Sequence, residues 1–215
     1  MDFDANTIRE AVLDVFLFIV CLSLHEWGHA YMADRLGDDT PRSQGRVTIN
    51  PLPHIDIIGT IIFPMLASLG FFGGLGVIGW AKPVQTNPNN FKNGVRDRAW
   101  VTIAGPGMNF VIGVLAAIGA GVAEHFLPSI VPLLKTVMSL NALLIVFNML
   151  PIPPLDGSKF LMYWFGMSEE AYYSFAQWGW VMLVLLINFP QIRQLLNLLY
   201  GVMVIPFYMI YRLIA

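Results

Sequence analysis

His25-Glu26-Trp27-Gly28-His29 is an HExxH pattern. On a helix, a spacing of four stacks the two imidazoles on one face, a turn apart, where both can ligate a single metal ion. The intervening glutamate is offset by one position and can reach a water on that ion. A shuffled chain of this composition would hold the pattern with a probability of about 0.002, so chance explains it poorly. The bland reading is a polar cluster that ties helices together by hydrogen bonds. Two histidines are too few for a catalytic zinc, which takes three protein ligands and keeps one position for water. The best candidate for the third ligand is Asp156 in NMLPIPPLDG, a Pro-rich segment that stops a helix and fixes the carboxylate. Its alternative role is an Asp-Gly turn cap.

The elements that must carry these residues are apolar. Of 215 residues, 56% are hydrophobic and only 12% charged, about half the charged share of a soluble protein, and the mean hydropathy is +0.64. A polytopic membrane protein is expected. The formal net charge of -2 leaves no basic excess for phosphates, so nucleic acid is not an expected partner. Cys21 is the single cysteine, which excludes an internal disulfide.

Predominantly apolar runs cover residues 11–36, 55–80, 99–123, 129–150, 171–189 and 195–213. The polar connections between them are too short for a second soluble domain, and the first run reads as a retained helix rather than a leader. The fold class expected is all-α with about five to six transmembrane helices. The run 55–80 departs from a uniform helix, because residues 70–79 are Gly-rich and lead into GWAKPV. A re-entrant, Gly-rich hairpin around residues 70–84 is therefore expected, since irregular backbone at membrane depth needs protein or water to satisfy it. With the N-terminus outside and this element re-entrant, most Lys and Arg, the 82–98 cluster included, fall inside, as the positive-inside tendency asks. In that topology the HEWGH histidines and Asp156 approach the same inner half of the membrane. His25 lies about 21 Å along its helix at 1.5 Å per residue, deep in a hydrocarbon core of about 30 Å, so the site needs its own water.

Other polar groups lie near the same level. His54 and Asp56 in PHIDIIGT suit an auxiliary or inhibitory metal contact, a hydrogen bond that orients a ligand, or an interfacial cap. Asn109 in AGPGMNF and Asn148 suit substrate backbone, an oxyanion, or interhelical hydrogen bonding. Cys21, one turn before His25, is expected to be buried as a small apolar residue. His125 and the tryptophans are expected at interfaces or in packing.

HEWGH in the first span, AGPGMNF opening another and NMLPIPPLDG closing a later one resemble the site-2 protease family of intramembrane zinc metalloproteases, over residues 11–160. GWAKPV resembles that family's re-entrant β-hairpin, and RVTINPLPHIDIIGT its small, compact members. The resemblance implies one Zn2+ per chain held by His25, His29 and Asp156, with Glu26 as general base. One transmembrane metalloprotease domain over 1–215 is expected, with a catalytic core at 11–160 and a C-terminal helix pair at 171–213; the chain departs from the family's larger members in having no room for a PDZ module.

The function expected is intramembrane zinc endopeptidase action on transmembrane or membrane-proximal segments of substrate proteins. The expected setting is a multi-pass cell-membrane location with the active site toward the cytoplasm. A transmembrane helix hides its carbonyls in internal hydrogen bonds, so a substrate must unwind. An extended stretch containing Gly79, Trp80, Ala81, Lys82 and Pro83 can hold the unwound strand by β-augmentation. A metal or proton transporter, or an inactive membrane scaffold, are the readings from other classes. Substrate identity and oligomeric state are not written in the sequence.

Overall fold

The structure, a computed structural model, describes residues 4–71 and 79–215. It is all-helical, 77% helix, with no strand among the described residues. The chain divides into two compact units, Met1–Lys92 and Asn93–Ala215.

The first unit is built on α1, Ala5–Arg35, whose N-terminus is capped by Asp4 accepting from the Thr7 amide at 2.7 Å. Ala11, Val15, Phe18, Leu22, His25, His29 and Ala33 are buried on α1 at intervals of three and four, which makes one continuous stripe. Burying a Phe or Leu in such a stripe is worth about 1.5–3 kcal/mol. Two imidazoles in the same stripe forgo that gain. A left-handed Gly37, φ 105°, ends the helix and turns the chain into the short α2, Thr40–Ser43. A π-turn at Ile57–Ile62 then runs into α3, Phe63–Ser68, and packs on α1.

Two glycines bring the chain back across this unit. A Cβ on Gly59 would lie 2.3 Å from the Trp80 indole, and one on Gly79 would lie 2.2 Å from the Gly59 carbonyl oxygen. Only backbone without side chains allows residues 79–80 to cross so closely. The bulk of the Gly-rich hairpin expected around residues 70–84 lies outside the described residues. Its return limb, from residue 79 onward, is described and belongs to neither helix nor strand.

The second unit packs α4, Val95–Phe126, against α5, Val131–Asn148, and α9, Pro190–Ile214. Its core joins Ala116, Ala117 and Ala120 of α4 to Met138, Ala142 and Ile145 of α5 and to Phe207 of α9. Small residues on α4 make the close approach possible: a Cβ on Gly113 would meet the Phe207 ring at 2.3 Å, the device by which helices pack in a bilayer. Between α5 and α9 come α6, Phe160–Phe165, α7, Glu169–Ala176, and α8, Gly179–Asn188.

Among the described residues, three helical segments are long and apolar enough to cross a membrane: Val95–Phe126, Pro128–Asn148 and Pro190–Ile214. The run 171–189, expected as one span of a C-terminal pair, is instead divided between α7 and α8. The ten residues of α8 reach about 15 Å, half a hydrocarbon core. The break falls beside Gly179, where a Cβ would lie 2.2 Å from the Pro153 carbonyl oxygen.

Candidate metal centre

On α1 the imidazoles of His25 and His29 face each other, with their Nε2 atoms 3.1 Å apart and their rings edge to face. Both are buried, at 2% and 6% exposure. Two Zn–N bonds of about 2.05 Å at the tetrahedral angle would set the nitrogens about 3.3 Å apart, so the pair is spaced as two ligands of one ion. Helical spacing alone places them so, because the buried stripe runs through both positions. Glu26 is also buried, and its Oε2 accepts a 2.9 Å hydrogen bond from the Val84 amide.

That bond is the last of a series. The Trp80 amide donates to the Gly59 carbonyl and the Lys82 amide to the His54 carbonyl, both at 2.9 Å. Alternate amides of 80, 82 and 84 thus point the same way, as in an extended chain. The carbonyls on this edge are held too: Thr60 Oγ1 donates to Trp80 O at 2.8 Å, and Arg46 Nη2 donates to Lys82 O.

His54 is fully buried between Thr48 and Arg46. Its Nε2 donates to the Thr48 carbonyl at 3.0 Å, which leaves Nδ1 as the acceptor that faces Arg46 Nη2 at 3.4 Å. Burial holds the imidazole below its ordinary pKa; the Thr48 carbonyl pulls the other way more strongly than the Arg46 charge adds to the lowering, and Glu26 opposes it least. Asp56 caps the π-turn, accepting from the Gly59 amide at 2.7 Å. Cys21 is buried in the α1 stripe, as expected.

In the second unit, Asp156 opens a 3-10 turn, Asp156–Lys159, and is buried at 6% exposure. Lys159 Nζ lies 2.9 Å from its Oδ1. The turn is held from both sides. A Cβ on Gly157 would meet the Met149 carbonyl oxygen at 2.2 Å, while Ser158 Oγ donates to Leu155 O at 2.6 Å and pairs with Tyr172 Oη at 2.9 Å. Gly157 is therefore required here for close packing. Asn109 is fully buried in α4, and Asn148 donates to the Leu144 carbonyl at 3.0 Å within α5.

Sequence reading gave Arg46 and Thr60 no role at the site, and Val84 entered only as the end of the extended stretch. Arg46 entered only as one of the basic residues that mark the inner face. The signal that could have flagged it is its place at the head of RVTINPLPHIDIIGT, the segment that also holds His54.

An HExxH whose histidines share a buried helix face, with its glutamate between them, defines a zinc-hydrolase type of centre. The chain is 31% identical over 201 residues to Rip2 of Mycolicibacterium smegmatis, covering 88% of this chain and 74% of that protein. It is 36% identical over 155 residues to YwhC of Bacillus subtilis, covering 68% of this chain and 66% of YwhC. MJ0392 of Methanocaldococcus jannaschii is 29% identical over 158 residues, with 73% of this chain and 35% of that protein covered. All three are named as zinc metalloproteases. The chain belongs to this zinc metalloprotease family. It spans about two thirds of YwhC and about a third of MJ0392. No family model and no solved structure matches it.

Proposed function

We propose that the protein is an intramembrane zinc endopeptidase of the site-2 protease type, which cleaves transmembrane or membrane-proximal segments of other proteins. The observation that carries this reading is the buried His25–His29 pair, 3.1 Å between Nε2 atoms, inside an apolar helix. Buried polar groups at such depth are costly and usually functional. His25 and His29 supply two ligands and Asp156 the third, two imidazoles and a carboxylate being the kind of donor set that catalytic zinc takes. Zinc, when bound, supplies a Lewis acid that acidifies water at the centre and polarises a scissile carbonyl.

Glu26 accepts the proton of that water and returns it to the leaving amine. The Val84 amide holds one of its oxygens and so presets the direction in which the carboxylate accepts. An unwound substrate strand pairs with the extended segment containing Gly79, Trp80, Ala81, Lys82 and Pro83. The amides of 80, 82 and 84 are engaged within the unit, and by alternation the peptide groups of Ala81 face the opposite edge. The protein is multi-pass, with its centre toward the cytoplasmic side. Its 1–215 region forms one metalloprotease domain, and its partners are the bilayer and a membrane-embedded substrate protein.

The test is reconstitution with a panel of single-span membrane proteins, with cleavage and bound zinc measured together for wild type, Glu26→Gln and Asp156→Ala. Glu26→Gln is expected to keep zinc and lose cleavage, and Asp156→Ala to lower both. Cleavage that survives Glu26→Gln overturns the assignment. Zinc flux into liposomes, indifferent to peptide, would instead mark a transporter.

A further inference from the structure

We propose that Arg46 is a positioning residue for the general base: its guanidinium holds the Lys82 carbonyl, which presents the Val84 amide to Glu26. This inference rests on the protease reading and names a residue outside its metal and base set.

Arg46 is buried, at 4% exposure, in the connection between α2 and the π-turn. Its own amide donates to Pro41 O at 2.8 Å, so the backbone is anchored before the side chain reaches inward. Nη2 donates to Lys82 O and faces His54 Nδ1 at 3.4 Å, while Nε is buried without a hydrogen-bond partner. No carboxylate forms an ion pair with it among the described residues. Burial works against the Arg46 charge, and Glu26 is the anion whose field opposes that effect. A buried guanidinium with an unpaired N–H and no ion-pair partner is a poor stabiliser of a fold. A neutral donor would satisfy one carbonyl at less desolvation cost, so retention of the charge points to a task at the site.

The geometry specifies that task. Residue 82 is fixed at both peptide groups, its amide on His54 O and its carbonyl on Arg46. His54 in turn is held by Thr48 O, which keeps the brace rigid. Two residues on, the Val84 amide meets Glu26 Oε2 at 2.9 Å. With Lys82 O released, the segment can swing, Oε2 loses its donor, and the carboxylate can leave its preset rotamer. His25 and His29 sit on α1 and need none of these contacts, so zinc stays.

The experiment uses the full chain in lipid nanodiscs and two readouts. Amide hydrogen exchange across residues 80–84 needs no substrate. Steady-state kinetics use the single-span protein that wild type cleaves fastest in the panel above. Arg46→Met is expected to speed exchange at 80–84 at least tenfold and to lower kcat at least tenfold, with KM within threefold and zinc content unchanged. Arg46→Lys, which keeps one donor, should restore part of both. Val84→Pro, which deletes the amide donor, should lower kcat similarly, and Arg42→Met, at the exposed pair with Asp34, should change neither. Wild-type exchange or wild-type kcat in folded Arg46→Met overturns the proposal. If that variant does not fold, wild-type kcat in Val84→Pro, or wild-type exchange in Arg46→Lys, overturns it. A wild-type protein that cleaves nothing defeats the protease reading, while the exchange arm still decides whether Arg46 pins the segment.

Discussion

The Val84 amide donates to Glu26 Oε2 across 2.9 Å, although the two residues lie 58 positions apart. The candidate base and the end of the extended segment are therefore one hydrogen-bonded unit. Glu26 is set by two elements: α1 fixes its Cα, and the return limb fixes its carboxylate.

Glu26→Gln separates these roles. The amide oxygen of Gln still accepts from Val84, so exchange at 80–84 should stay at the wild-type rate, and zinc should stay bound. The proton acceptor is gone, and cleavage should fall by about 10²–10⁴, the usual share of general-base catalysis. Peptide cleavage, bound zinc and exchange measured on one preparation check all three.

His29→Ala removes one half of the 3.1 Å imidazole pair. Zinc content after dialysis should drop below that of wild type, and cleavage should vanish with it. A chelator should abolish wild-type cleavage, and added zinc should restore it. His54→Ala is the contrast, because its ring contacts Thr48 and Arg46: zinc should remain near wild type while cleavage falls in part.

How far this centre was legible in the sequence depends on the range of each contact. HEWGH was readable because four residues make one helical turn, so the motif and its element are the same information. Asp156 could be nominated because a Pro-rich helix stop is local too. Arg46 could not, since its role comes from the carbonyl of a residue 36 positions away, and no periodicity encodes that pairing. The division of 171–189 was hidden for the same reason: hydropathy reads that run as continuous, whereas the break sits beside the contact of Gly179 with the Pro153 carbonyl.

Packing in the second unit gives a stability prediction. Gly113→Ala places a Cβ against the Phe207 ring, 2.3 Å from its nearest atom, and Phe207 is fully buried. Overpacking of this kind costs about 1–3 kcal/mol. Adding Phe207→Leu should recover part of it, so the double variant should be more stable than the two single losses summed. Denaturant titration in mixed micelles, followed by tryptophan fluorescence, measures the cycle, and strict additivity would separate the two positions.

Asp38 sets the pH dependence of the first unit. It is fully buried, and burial by itself raises a carboxyl pKa. Hydrogen bonds from the Thr40 hydroxyl at 2.6 Å, the Asn87 amide at 2.8 Å, Asn90 Nδ2 at 2.9 Å and the Thr40 amide at 3.2 Å outweigh it and hold the group below its ordinary 3.8. The unfolded chain then binds the proton first, so the stabilisation is complete above 3.8 and is lost as pH falls through the lower folded value. Because Asp38 joins the loop after α1 to residues 87–90, this loss should loosen the return limb. Thermal melts of wild type between pH 3 and 7 should fall at the acid end. Asp38→Asn should melt lower at pH 7 and show a flatter acid limb, and an unchanged acid limb would assign the titration to another carboxylate.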